Sequence, residues 1–270
     1  MRRVVLFFLA CILLSGCGAE APIPGLKYEL VTETEAVNVD PESLKGLKAT
    51  VESAGENSRM EIVEGDGRIF KSGTVVLTRD GGENVTVLEP EKKQYYEYSA
   101  EEYQKSAGGG SVPQLGLASL NISDVRVFVD PKGRDRKIQG YSTSRYHVGM
   151  AFRVRISVAG KSHSARTVVK SRIWTTEEIG EEYYALLKAR EVKTGFKEVD
   201  DKVAEAAKKI KGFPLRQVVE TEIAIGEHAQ AISATTFVRK IEKLSIAPSR
   251  FEVPDDFDEV DPPEPPGLLR

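Results

Sequence analysis

Alternation with a period of two runs through most of this chain, and it limits the fold more than any other feature. Such a pattern places apolar side chains on one face of a strand and polar ones on the other, which a helix of 3.6 residues per turn cannot do. In residues 26–36, Leu26, Tyr28, Leu30, Thr32, Thr34 and Ala36 share one face, while Lys27, Glu29, Glu33 and Glu35 share the other. Leu47, Ala49 and Val51 stand against Lys48 and Glu52 in the same way. Further extended runs are expected at 59–64, 73–79, 84–89 and 94–98, separated by turn signals such as Gly65-Asp66-Gly67, Asp80-Gly81-Gly82 and Pro90-Glu91-Lys92-Lys93. Separations this short imply antiparallel hairpins. Strands are expected again at 122–129, 136–148, 150–159, 162–174, 215–225 and 229–242, with a last short one at 251–253.

Helical spacing interrupts this pattern in three places. Residues 99–105 open with Ser99 and Glu102 at capping-box spacing and run into Gly108-Gly109-Gly110. Residues 177–191 follow a possible capping box from Thr175 to Glu178, and residues 198–211 place Val199, Val203, Ala206, Ala207 and Ile210 at intervals of three and four. The expected fold is therefore mainly β (α+β): a curved antiparallel sheet or half-open barrel of about 10 strands, with two or three helices packed on it.

The N-terminus sets the compartment. Arg2 and Arg3 precede an apolar run over 4–14, and Leu14-Ser15-Gly16-Cys17 follows. The run is far shorter than the roughly 20 residues a spanning helix needs, so it reads as a secretory signal peptide. Its small residues before a cysteine form a lipobox, with cleavage expected between Gly16 and Cys17 and a diacylglycerol on the Cys17 sulfur. The chain has two cysteines, and Cys11 lies in the discarded segment, so no disulfide framework is available and a packed core must hold the domain. The expected organisation is a signal peptide over 1–16, a lipidated cysteine and spacer over 17–25 and one antiparallel β domain over 26–254. An acidic, proline-rich tail over 255–270 is expected to be disordered. Gly18 lacks the aspartate that retains such proteins at the inner membrane of enteric bacteria, which favours the outer membrane facing the periplasm.

Charge is distributed unevenly. Residues 126–172 hold twelve Lys or Arg against only Asp130 and Asp135, whereas residues 18–125 hold ten Lys or Arg against nineteen Asp or Glu. Alternation puts Arg153 and Arg155 on one face of a strand, and Arg166, Lys170 and Arg172 on one face of the next. If the two strands pair, a basic docking face results, suited to anionic head groups or an acidic partner. The opposing expectation is that an acidic strand, such as the one with Glu29, Glu33 and Glu35, lies alongside and neutralises it. Nucleic acid is not an expected partner, because the aromatic interleaving of single-strand binders is missing.

Little in the chain points to catalysis. His147, His163 and His228 lack metal-ligand spacing, so no metal site and no cofactor are expected. No Gly-x-Ser-x-Gly elbow occurs, and Gly108 to Ser111 is not followed by the Gly-Lys-Ser/Thr of a phosphate loop. Tyr96, Tyr98, Trp174 and Tyr183 are candidate pocket-lining aromatics, with ordinary packing in half-buried strands as the plainer account.

Several short pieces together resemble a bacterial periplasmic lipoprotein domain of uncharacterised function and, more distantly, the lipoprotein-carrier group that includes LolA, LolB and the periplasmic domain of RseB. They are Val87-Leu88-Glu89-Pro90 followed by Lys93 and Tyr95-Tyr96, Gly140-Tyr141 running to Tyr146, Trp174-Thr175-Thr176, Gly212-Phe213-Pro214-Leu215 and Phe251-Glu252-Val253-Pro254. The resemblance spans roughly 26–258. It implies a half-barrel closed by helices that shelters acyl chains. The chain departs from the carriers in its basic middle and long acidic tail, and in carrying a lipobox of its own, as LolB does. The resulting expectation is an envelope lipoprotein anchored to the membrane by its N-terminal lipid and acting without catalysis, as a binding module for acyl chains or other apolar ligands. The competing expectation is a structural or protein-interaction lipoprotein that meets an envelope protein through its basic face.

Overall fold

The computed structural model describes residues 21–37, 46–65, 71–100, 102–103, 118–158, 161–184, 196–226 and 228–263. Its strands are β1 (Ile23–Val37), β2 (Leu47–Ala54), β3 (Asn57–Glu64), β4 (Val75–Thr78), β5 (Asn84–Glu89) and β6 (Gln94–Ser99), then β7 (Ala118–Arg134), β8 (Ser144–Val158) and β9 (Lys161–Thr176). The α-helix α1 (Lys197–Ala207) precedes β10 (Phe213–Ile225), β11 (His228–Ile246) and β12 (Asp258–Glu259). All twelve strands belong to one sheet, in the order β12-β6-β5-β4-β3-β2-β1-β11-β10-β9-β8-β7. Every pairing is antiparallel except β12 with β6, and the sheet is open, with β12 and β7 at its edges. The mainly β fold expected from alternation is the one observed.

The order splits the sheet at β1. On one side lie the short strands β2 to β6, and on the other the long strands β7 to β11. Leu26, Tyr28 and Leu30 of β1 pack with Leu47, Ala49 and Val51 of β2, Met60 and Ile62 of β3, Val76 of β4, Val85 and Val87 of β5 and Tyr98 of β6. These are the period-two residues of the sequence, and most are about 1% exposed. Phe213 and Leu215 at the start of β10 complete the cluster, with the Phe213 ring edge-on to Tyr28 at 5.4 Å. The opposite face of the short strands is covered as well. Val75, Leu77 and Leu88 pack against Val253 and Phe257, and Ala54 packs with Ile246 and Phe251.

That second cover corrects two expectations. Residues 251–253 do not form a strand: Pro248–Phe251 is a 3-10 turn, and Arg250 from it donates Nε and Nη2 bonds to Glu52 Oε2 at 3.0 and 2.7 Å. The segment beyond 255, expected to be disordered, instead pairs through Asp258 and Glu259 with Gln94 and Tyr95. Apolar anchoring by Phe257 and the ion pair of Asp256 with Lys93 at 2.8 Å outweigh its acidic, proline-rich composition. Residues 264–270 lie outside the described residues.

Two further differences come from partners on other strands or connections. The strands expected at 136–148 and 150–159 are one continuous β8 from Ser144, running through Gly149, with residues 135–143 forming the connection from β7. Phe128, directly across from Gly149, lays its ring where a Gly149 Cβ would stand, so this glycine marks an aromatic contact and not a break. The connection turns at Gln139 and Gly140, both at positive φ, and the Gln139 amide bonds the backbone of Val238 and Lys240 on β11. The capping box expected at Thr175 does not form, because Thr175 and Thr176 remain in β9, paired with Pro214 and Phe213. Glu178 accepts from the Ser142 backbone instead, at 2.8 Å, and only a 3-10 turn over Glu181–Tyr184 follows; residues 185–191 of the expected helix lie outside the described residues. The box at Ser99 and Glu102 does form, with Ser99 N and Oγ donating to Glu102 Oε2 at 2.9 and 2.7 Å.

Candidate functional site

Register decides which side chains meet across the long strands, because directly paired residues project to the same face. One row runs Val148, Ser171, Val219, Ala234 and Thr34 across β8, β9, β10, β11 and β1. The next runs Met150, Val169, Thr221 and Ile232, and those on either side run Phe152, Thr167, Ile223 and Gln230, and Tyr146, Ile173, Gln217, Thr236 and Thr32. None of these residues carries a charge. This is the face that continues from Leu30 and Val238 of the main core. Yet Val148, Met150, Phe152, Val169, Val219, Ile223, Ile232 and Ala234 are only half-buried, unlike their counterparts among the short strands. Helix α1 covers the β7 end of the sheet, burying Val199 and Ala206, and Lys202 Nζ reaches the Val125 carbonyl at 3.2 Å.

The charges stand on the reverse face. Arg145, His147, Arg153 and Arg155 of β8 lie beside Trp174, Arg172, Lys170 and Arg166 of β9, with Arg153 directly opposite Arg166. The five basic residues singled out from the sequence, Arg153, Arg155, Arg166, Lys170 and Arg172, therefore do share one face. The acidic strand expected beside them is elsewhere: β1 is separated from β9 by β10 and β11. Glu29 and Glu33 are engaged by Lys240 at 2.6 Å and Arg239 at 3.6 Å. Partial neutralisation comes from β10, whose Glu220 lies across from Lys170 and pairs with Arg172 at 2.6 Å. Arg153 has a weaker contact with Asp124 at 3.4 Å.

The four candidate aromatics do not form one pocket. Tyr96 and Tyr98 stack edge-on at 5.3 Å, and Tyr98 meets Tyr103 at 6.3 Å, within the core of the short strands. Burial pushes the Tyr96 phenol far up, with Glu89 adding to it. Tyr183 packs against the same cluster, and its carbonyl accepts the Tyr28 hydroxyl at 3.3 Å. Trp174 is on the charged face, buried, with the Arg136 and Arg216 guanidinium carbons 5.7 and 5.2 Å from its ring centre. Its indole N–H donates to Asp135 Oδ2 at 3.0 Å. Sequence reasoning missed Arg136, Arg145 and Arg216 as its companions. Arg136 and Arg145 fell within the basic segment, but nothing in alternation marks a residue 42 positions away, Arg216, as the cross-strand partner of Trp174.

Cys17 and Gly16 lie outside the described residues. Among the described residues no helix is long and apolar enough to cross a membrane, and no three His, Cys, Asp or Glu side chains converge as a metal site would require.

Residues 40–257 match a protein family defined as a domain of unknown function, DUF4412. No curated protein matches. Among solved structures, the lipoprotein LppX of Mycobacterium tuberculosis aligns at 14% identity over 78% of this chain and 84% of that one, with a TM-score of 0.28, at which no shared architecture follows.

Proposed function

The chain belongs to the DUF4412 family, and we propose that it is an envelope lipoprotein, tethered through Cys17, that binds acyl chains or another apolar ligand without catalysis. One observation carries this reading: the uncharged face of β8 to β11 is built mainly of Val, Ile, Met, Phe, Ala and Thr, with Ser171, Gln217 and Gln230 among them, yet its apolar side chains stay half-buried. Apolar surface left in contact with water forgoes roughly 25 cal/mol per Å² that a ligand's hydrocarbon would recover. The lipobox and the resemblance to lipoprotein carriers support the envelope placement and the acyl-chain ligand. A fluorescent fatty acid titrated into a lipid-free Cys17→Ser chain is expected to bind saturably, and Val219→Glu or Ile232→Glu should weaken that binding at least tenfold. Mass spectrometry of the organic extract of the same protein should show co-purified lipid. No probe binding and no lipid would overturn the reading.

A second reading, docking of an acidic envelope protein, is favoured by a single feature. Arg153 directly opposite Arg166 is a like-charge pair that a sheet tolerates at a cost, which an acidic partner would relieve. Crosslinking in cells with Arg153, Arg155 and Arg166 reversed to glutamate tests it; an unchanged set of partners would sink it.

A further inference from the structure

On the charged face, where β8, β9 and β10 meet the connection between β7 and β8, lies a cavity of about 430 Å³. Arg136, Arg145, Arg172 and Arg216 all line it, with Trp174 at one side and the hydroxyl residues Ser233 and Thr235 across from it on β11. Four guanidiniums around one cavity repel each other unless anions are present. The lining supplies two. Asp135 binds Arg145 Nη1 at 3.1 Å while accepting the Trp174 N–H, and Glu220 binds Arg172.

Arg136 and Arg216 have no carboxylate within ion-pair distance among the described residues. The Nε atoms of Arg145 and Arg216 are buried without a hydrogen-bond partner, so it is the Nη groups that can face the cavity. Arg216 is instead stacked, its guanidinium carbon 5.2 Å from both the Trp174 and the Phe237 ring centres. Stacking fixes the plane of a guanidinium and leaves its edge N–H groups free to donate. Burial, and then the charges of Arg136 and Arg172, pull the affinity of Arg216 for its proton down, with Glu33 pulling the other way.

We propose that this cavity binds a phosphate group, held by the edges of Arg136, Arg145 and Arg216 with Ser233 and Thr235 as neutral donors. A tetrahedral oxyanion offers several acceptors to converging guanidinium forks, and each charge-assisted bond is about twice as strong as a neutral one. The site is on the face opposite the uncharged one, so it stands or falls independently of acyl-chain binding there. The phosphate can belong to a soluble ester or to a phospholipid head group, and the recognition chemistry is the same.

Trp174 is the only tryptophan of the chain, so its fluorescence reports on this site alone. The full lipidated chain in neutral-detergent micelles would be titrated with inorganic phosphate and glycerol phosphate, with sodium chloride holding ionic strength constant. A parallel series would add phosphatidic acid to the micelles, with diacylglycerol of the same chains as control. A saturable change with any of the phosphates supports the site; response to the soluble compounds or to phosphatidic acid alone tells which source is used. Arg136→Gln, at an exposed backbone position, and Arg216→Lys, which keeps the charge but loses the fork, should each weaken binding roughly tenfold or more. A change that chloride or diacylglycerol reproduces, or one that both variants leave intact while circular dichroism shows them folded, would overturn the proposal. So would the absence of any response to all three phosphates.

Discussion

The short-strand and long-strand halves of the sheet have the same alternating pattern and opposite fates. In β2 to β6 the apolar face meets β1, Phe213, Ile179 and the tyrosine cluster, while the other face is closed by Val253, Phe257 and Phe251. In β8 to β11 a comparable apolar face is half-buried, and the reverse face is a field of arginines with one buried tryptophan. Alternation states which face of a strand is apolar. Whether that face becomes core or binding surface depends on what packs against it, and that cover comes from distant parts of the chain.

The largest test of this contrast is truncation of a side chain in each half. Phe213→Ala, in the closed half, is expected to cost about 3–5 kcal/mol, as for other fully buried aromatics. Val219→Ala in the open half should cost about 1 kcal/mol, because the side chain is already partly wet and leaves no enclosed cavity. Chemical denaturation of both variants measures the difference; equal losses would mean that the two halves are equally packed.

Glycines give a smaller effect of the same kind. A Cβ on Gly25 would stand 2.9 Å from the Ser53 carbonyl oxygen and 2.5 Å from the Ile246 side chain, within a closed region that cannot give way. Gly25→Ala should therefore cost about 1–3 kcal/mol. At Gly149 the clash is with the ring of Phe128, which is 59% exposed and can swing into water, so Gly149→Ala should cost clearly less. Thermal unfolding of the pair would show whether the ranking holds.

The smallest effect is electrostatic and confined to the closed half. Burial opposes ionisation of Glu52, but the hydrogen bonds and charge of Arg250, with Lys27 and Arg59 beyond, outweigh it and hold the carboxyl below its ordinary value of 4.5. A lowered carboxylate pKa contributes stability that is fully present above that ordinary value and is lost as pH falls through the lowered one. Wild-type protein should therefore lose stability below about pH 4.5 more steeply than Glu52→Gln, which should itself be about 1–3 kcal/mol less stable at pH 7. Parallel acid-denaturation slopes for the two proteins would remove this pair from the account.

Much of the fold was legible in local pattern. The faces of β1 and β2, the Ser99 capping box and the common face of Arg153, Arg155, Arg166, Lys170 and Arg172 all follow from residues within a few positions of one another. The errors arose where a distant partner overrides local preference. Gly149 reads as a break until Phe128 is seen filling its place, Thr175 reads as a cap until Pro214 pairs with it, and the acidic segment beyond 255 reads as disordered until β6 holds Asp258 and Glu259. The candidate site was legible only in part: the basic strands were visible as charge, whereas the grouping of Trp174 with Arg216 depends on the β9–β10 register and its bulge between Pro214 and Arg216.

By itself, then, the sequence determined that this is an antiparallel β protein with a basic stretch concentrated on two strands, because strand faces and charge runs are written within a few residues. The tertiary structure decided which half of the sheet is closed, that β1 stands two strands away from the basic pair, and that four arginines surround Trp174. Those outcomes depend on strand order and register, which bring together residues as far apart in the chain as Ile23 and Ile246, and no local pattern encodes that distance.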